Sequence, residues 1–226
     1  MKKGIFMIGT GTDVGKTYVT ALFIKALRKK GKDVGYYKAV LSGADNIRES
    51  DAGYVNRIAC IGQEESSLLS YLYQTPVSPH LAAKIEGNPP RMRTIKKDVQ
   101  RVFQRYEYVV MEGSGGIVCP IRYDEEETIW LEDIIKEVDL PTVIVAEAGL
   151  GTINATVLTV EYLKQRGIEV KGIFFNRYIG DRMQKDNKTM IEERTKVPIL
   201  SLIEPNATEL KLEKEQLEIL GFGRNC

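Results

Sequence analysis

The sequence predicts an α/β fold: a doubly wound, mostly parallel β-sheet with helices on both faces. Two observations predict it. Short apolar runs rich in β-branched and aromatic residues alternate with helical stretches along the chain. Most of those runs are apolar throughout instead of alternating with polar residues, which suits strands covered on both faces of a parallel sheet.

The elements follow in order. Residues 5–8 form the first strand and lead into a glycine-rich turn. A helix over about 16–30 stops at Gly31. A second strand, 34–38, ends on Lys38. Residues 41–90 show little periodicity and carry Gly43, Gly53, Gly62, Pro76, Pro79, Pro89 and Pro90. This stretch is expected to leave the sheet and cover its C-terminal edge as a lid or binding loop. A helix over about 94–105 precedes a strand at 108–112. A further helix runs from near Thr128 to Val138, and Pro141 opens the strand 142–146. The helix 152–166 stops at Gly167, a usual residue just past a helix end. Strands at 170–176 and 199–202 follow, and the tail 207–220 is helical in propensity and slightly acidic.

Composition narrows the function. The chain has 226 residues, with 32 Lys and Arg against 31 Asp and Glu, a net charge of +1, 43% apolar and 28% charged residues. That is ordinary globular composition, and one domain spanning 1–226 is expected. A near-neutral balance gives no electrostatic reason to expect nucleic acid or an anionic membrane as partner. The opening apolar run is too short for a secretory signal, and no stretch approaches the ~20 apolar residues that span a bilayer. Cys60, Cys119 and Cys226 are far apart with no metal-ligand spacing, so free thiols in a reducing cytoplasm are expected.

The first chemical motif is Gly9-Thr10-Gly11-Thr12-Asp13-Val14-Gly15-Lys16-Thr17. It follows a strand and opens a helix, the context in which backbone amides and a helix N-terminus cradle a polyphosphate. Lys16 would neutralise the β- and γ-phosphates, and the Thr17 hydroxyl would join a Mg²⁺ shell. The loop is a variant, because Thr10 occupies the position of the first glycine in the strict pattern. The run 108–112 ends in Glu112, followed by Gly113-Ser114-Gly115-Gly116. A carboxylate there lies at a strand end facing the crevice, where it could hold Mg²⁺. Lys38 ends another strand on the same side, with Ser42 just beyond. A second cation beside Lys16 would bring two anions together by offsetting their repulsion. Asp51 is a further candidate metal ligand in the covering segment. His80 is the one histidine of the chain and is read as structural.

Together these elements resemble dethiobiotin synthetases, ATP-dependent enzymes that close the ureido ring of biotin. The resemblance rests on residues 9–17, 37–43, 50–51, 78–83, 112–116, 149–154 and 176–177, in the family's order. It implies a P-loop NTPase-like sheet, a homodimer, and ATP with Mg²⁺. The implied substrates are 7,8-diaminopelargonate and CO₂. Position by position, Lys16 and Lys38 resemble the catalytic lysines. Thr17, Asp51 and Glu112 match the Mg²⁺ ligands. Asp13, Val14, Gly15, Lys16, Thr17 and Tyr18 would line the nucleotide phosphates, with Gly113, Ser114 and Gly115 opposite. Asn176 resembles the family's adenine reader, beside Arg177. Thr12, Lys38 and Ser42 match residues that hold the diamine end of the substrate. Gly149, Leu150, Gly151, Thr152, Ile153 and Asn154 resemble the segment that binds the substrate carboxylate from the partner subunit. The chain departs from the family at Gly11, where Asp is common, at Ala39, where Pro is common, and at 202–205, which bears on nucleotide preference.

Rival readings fit less well. Partition and division-site ATPases carry an additional lysine early in the phosphate loop, and residues 9–13 contain none. A guanine reader needs Asn-Lys-x-Asp, and Asn187-Lys188-Thr189 is followed by Met190. An amidoligase of the cobyrinate type would carry a glutaminase domain, for which this chain is too short.

Overall fold

The computed structural model describes residues 3–223. Among them the chain runs β1 (Gly4–Gly9), α1 (Lys16–Lys29), β2 (Val34–Ser42), α2 (Asp51–Ile58), a 3₁₀ turn (Glu65–Ser67), β3 (Leu69–Tyr73), α3 (Pro79–Glu86), α4 (Met92–Arg105) and β4 (Tyr108–Gly116). It continues with β5 (Pro120–Tyr123), β6 (Thr128–Trp130), α5 (Leu131–Val138), β7 (Thr142–Glu147), α6 (Thr152–Gln165), β8 (Val170–Asn176), α7 (Arg182–Thr195), β9 (Ile199–Ile203) and α8 (Lys214–Ile219).

The main sheet has the order β3-β2-β4-β1-β7-β8-β9, and each neighbouring pair is parallel. β1 lies in the middle, so the turn that follows it opens at the centre of the sheet's C-terminal edge. Residues 34–41 of β2 are buried at every position. Successive strand side chains point to opposite faces, so unbroken burial requires cover on both faces. The aromatic part of the core brings Phe23 of α1 to 5.3 Å from Phe174 of β8 and 5.8 Å from Phe222 beyond α8 (ring centroids).

The structure corrects several expectations. The stretch 41–90 leaves the sheet only in part. β2 runs on to Ser42, and β3 adds a parallel edge strand paired from Lys38↔Leu69 to Ser42↔Tyr73. The β3 side chains alternate between buried and half-buried, which is why no continuous apolar run marked it. Thr128 opens a short strand, not a helix: β6 pairs antiparallel with β5, and α5 begins at Leu131. There the Asp133 carboxylate accepts from the Trp130 amide at 2.8 Å and fixes the helix start. The tail is helical over Lys214–Ile219 and not before. Residues 207–209 instead run along α1, with the Ala207 carbonyl accepting from the Tyr18 hydroxyl and the Thr208 carbonyl from Lys25 at 3.2 Å. α7 carried no apolar period because its inward residues are mostly polar: Gln184, Asn187 and Thr195 beside Ile191. Cys60 and Cys119 are free thiols, while the expected free thiol of Cys226 lies outside the described residues. Among the described residues no helix is long and apolar enough to cross a membrane.

Candidate active site

The site is assembled where β1, β2 and β4 meet α1. β1 hands the chain to the loop 10–15, whose Thr10 amide still bonds the Val145 carbonyl of β7 at 3.0 Å. Gly15, at φ 84°, turns the chain into α1. A Cβ there would lie 2.2 Å from Asn176 Nδ2, so both the turn and the close seating of the carboxamide require glycine. Lys16 and Thr17 follow as the first residues of the helix.

Sheet register explains the charged cluster. Lys38 on β2 and Glu112 on β4 are direct partners across the ladder, so their side chains emerge on the same face. The Lys38 ammonium donates to Glu112 Oε1 at 2.8 Å and to Asp51 Oδ2 at 2.7 Å. Asp51 is the first residue of α2, whose N-cap is Ser50. Thr17 Oγ1 donates to the same Glu112 oxygen at 2.7 Å. Tyr36, two residues before Lys38 and so on the same face, donates from its hydroxyl to Glu112 Oε2 at 3.3 Å. Glu112 is 1% exposed and Lys38 4% exposed, so this pair is held out of water.

Burial alone would depress the Lys38 ammonium, but the Glu112 and Asp51 carboxylates outweigh it and raise its pKa. Burial would push the Asp51 carboxyl up, and Lys38 beside it brings it below its usual value. Among the described residues Lys16 has no such direct partner. Burial lowers its pKa, with Glu112 only partly offsetting. Burial and the Glu112 charge hold the Tyr36 phenol well above its usual value.

These groups stand at the floor of a cavity of about 1230 Å³. Thr12, Lys16, Thr17, Lys38, Ser42 and Asp51 line it. Its walls come from Ser114 and Gly115 at the end of β4, from residues 76–79, and from Val118, Cys119 and Pro120. Ser42 Oγ ties one wall down by donating to the Val77 carbonyl at 2.6 Å. The Cys119 thiol is pushed up to about 11, chiefly by burial, with Lys16 and Lys38 pulling the other way. Arg177, at φ 57°, reaches back from β8 to the Asp13 carbonyl (3.1 Å) and pairs with Glu147 (2.9 Å).

Comparison with known proteins places the chain in a family. A family model described as an AAA domain matches residues 3–212. An ATP-dependent dethiobiotin synthetase of Brachyspira hyodysenteriae is 48% identical over 97% of this chain and 99% of its own length. That of Clostridium novyi is 47% identical over 90% of this chain and 87% of its own. The chain belongs to the dethiobiotin synthetase family. Among solved structures, a ParA family ATPase from Chlorobium tepidum superposes with a TM-score of 0.58 at 16% identity, over 99% of this chain and 90% of that one. A chain of a MinC:MinD cell division protein complex of Aquifex aeolicus gives 0.56 at 15% identity, over 98% of this chain and 86% of that one. At such identities the likeness is one of fold, the P-loop NTPase sheet.

In this dethiobiotin synthetase family member, the structure brings most of the predicted residues together. Thr12, Asp13, Gly15, Lys16, Thr17, Tyr18, Lys38, Ser42, Asp51, Ser114, Gly115 and Arg177 border the large cavity. Glu112 is buried beneath it, reached through Thr17 and Lys38. Val14 and Gly113 turn into the core: Val14 is 8% exposed, and a Cβ on Gly113 would meet Leu131 at 2.9 Å. Asn176 sits behind the loop, its Nδ2 on the Val14 carbonyl at 2.9 Å and its buried Oδ1 without a partner. Residues 149–154 do not line the cavity, and Leu150 is 92% exposed. His80 lies on α3 with its Nδ1 against Ser78 Oγ at 3.1 Å, outside the lining. Sequence reasoning missed Tyr36, Tyr54 and the 76–79 wall. Tyr36 was findable from strand period, being two residues from Lys38. Among the described residues no three His, Cys, Asp or Glu side chains alone could hold a metal. The Thr17 hydroxyl with the Asp51 and Glu112 carboxylates is nevertheless a hard-oxygen set that suits Mg²⁺ when phosphates complete it. The Lys38 ammonium on both carboxylates shows that they already converge on one cation.

Proposed function

We infer that the chain is an ATP-dependent dethiobiotin synthase of biotin biosynthesis, a ligase that forms carbon–nitrogen bonds. We propose that it uses Mg²⁺ to convert 7,8-diaminopelargonate and CO₂ to dethiobiotin with release of ADP and phosphate. The observation that carries this reading is the placement of Lys38. It lies between two carboxylates beside the phosphate loop, at the floor of a cavity with room for a nucleotide and a second, anionic substrate.

The chemistry needs three steps. An amine of the substrate attacks CO₂, losing a proton, and forms a carbamate. A carbamate oxygen attacks the ATP γ-phosphorus and ADP leaves, giving a carbamic–phosphoric anhydride. The second amine attacks the carbamate carbon, closes the ring, loses a proton and expels phosphate. A carbamate is a poor electrophile, and phosphorylation supplies its leaving group. The protein's task is positioning and charge neutralisation. Loop amides 13–17 and Lys16 hold the β- and γ-phosphates. Lys38 offsets the repulsion between γ-phosphate and carbamate, and its raised pKa keeps it charged. Tyr36 and Thr17 hold the Glu112 carboxylate in place. Mg²⁺, held by Thr17, Asp51 and Glu112, would supply Lewis-acid stabilisation of charge on the phosphates. Thr12 and Ser42 face the diamine end. Asn176, through its unpartnered Oδ1, is suited to accept from the adenine amino group.

The 149–154 segment has no role toward the cavity of its own chain. With Leu150 exposed, we assign it to the substrate carboxylate of a partner subunit in a homodimer. The free amides at the start of α6 suit that anion. We take 1–226 as one domain working in the cytoplasm, in keeping with free thiols at Cys60 and Cys119. Oxygen labelling tests the chemistry. Turnover with ¹⁸O-bicarbonate delivers a label into the released phosphate. Unlabelled phosphate formed beside labelled dethiobiotin contradicts attack by the carbamate oxygen.

A further inference from the structure

The helix that carried no apolar period holds two buried amides one turn apart. Gln184 is 6% exposed and Asn187 7% exposed. Gln184 Oε1 accepts from the Ile179 amide at 2.6 Å and the Gly180 amide at 3.1 Å, and its Nε2 donates to the Arg177 carbonyl at 3.2 Å. Asn187 Nδ2 donates to the Ala148 and Gly149 carbonyls, both at 3.2 Å. Each side chain therefore fastens a different loop. These loops leave β7 and β8 just where ladder partners run out, and buried backbone groups there need other partners.

The two loops lead to different ligands. The loop after β8 begins at Arg177, next to Asn176 at the end of the strand, and Arg177 in turn holds the Asp13 carbonyl of the phosphate loop. The loop after β7 leads into α6, and the Gly149 carbonyl that Asn187 holds also accepts from the Thr152 amide at 3.3 Å.

We propose that Gln184 and Asn187 are positioning residues that divide the two substrates between them: Gln184 sets the nucleotide loop 177–180, and Asn187 sets the diamine-carboxylate loop 148–151. This rests on the assignment of 149–154 to the diamine carboxylate given above. It explains why a surface helix spends buried positions on amides in place of leucines. It also gives Asn187, which resembled part of a guanine reader, a role unrelated to a base.

The test uses near-isosteric variants of the full chain. Asn187→Asp keeps the shape and removes the donor. Gln184→Glu keeps the acceptors and removes the donor to Arg177. Asn187→Asp raises KM for diaminopelargonate about tenfold and leaves KM for ATP within about twofold of wild type, and Gln184→Glu does the reverse. Thr189→Ala, on the exposed side of the same helix, changes neither. KM does not depend on how much of a preparation is folded, so partial misfolding cannot imitate the split. Both KM values unchanged, or both raised together, overturns the proposal. So does failure of a residue's acidic and alanine variants alike to fold, which would make that residue structural. Asn154→Ala separates the proposal from the reading beneath it. Unchanged diamine KM there removes the loop assignment, and with it the Asn187 half. Raised KM there with unchanged KM in Asn187→Asp removes the positioning role alone.

Discussion

Lys38 is the most buried of the cations lining the cavity. Its ammonium, 4% exposed, bonds two carboxylates, one of which is 1% exposed. Removing one partner of a buried pair leaves an uncompensated charge. Lys38→Ala is therefore expected to lower unfolding stability by about 3 kcal/mol in denaturant titration. It should also cut kcat far more than ATP affinity, since Lys16 and the loop amides still hold the phosphates; lost ATP binding with intact kcat at saturation contradicts that placement. Asp51 gives a pH signature. Its folded pKa lies below the ordinary 3.8, so its stabilisation is fully present above that value and fades as pH falls through the folded pKa. The stability gap between wild type and Asp51→Asn, followed by melting from neutral pH into the acid range, should close on acidification; a constant gap contradicts it. Lys16, Lys38, Thr17 and Glu112 were legible in the sequence because each is a polar residue that opens a helix or closes an apolar run, although Lys38 and Glu112 lie mid-strand and not at strand ends, in β2 (Val34–Ser42) and β4 (Tyr108–Gly116). Tyr36 was not singled out, because a tyrosine inside an apolar strand reads as core; strand period puts it on the face of Lys38, and the ladder register then brings it to Glu112.

The elements that were legible are those buried on both faces or carrying an apolar helical period. β3 is an edge strand with alternating burial, and α7 packs inward through amides and threonine, so neither shows that pattern. The β5–β6 hairpin is short and held by a charged side chain: Arg122, 3% exposed, bonds Asp124, Glu126, Glu127 and the Pro90 carbonyl. β2 is placed by a close fit at its start. A Cβ on Gly35 would lie 2.4 Å from the ring of Tyr106, which is itself buried. Gly35→Ala is expected to cost about 1–3 kcal/mol through overpacking, read from a shifted denaturation midpoint. Because β2 carries Tyr36 and Lys38, the same change should lower kcat; unchanged stability would mean that the strand shifts freely and does not fix the site.

At the scale of the whole molecule, strand order explains why residues far apart in sequence meet. β1 at the centre and β2, β4, β7 and β8 around it bring their C-terminal ends to one edge. The same sheet in ParA and MinD proteins shows that this edge alone does not choose a reaction. What this chain places at that edge is Lys38 bonded to the Asp51 and Glu112 carboxylates. The turn at Leu150, which is exposed and outside the lining of its own cavity, is expected to be covered by a second copy. Sedimentation should give twice the chain mass, and Leu150→Glu should shift it toward monomer; a wild-type monomer at full activity contradicts the shared site. The most direct measurement is phosphate release from ATP and Mg²⁺ with diaminopelargonate and bicarbonate supplied together or singly, products identified by mass spectrometry. Release that requires both, with one dethiobiotin formed per phosphate, is the predicted result. Release that proceeds equally without the diamine would contradict it.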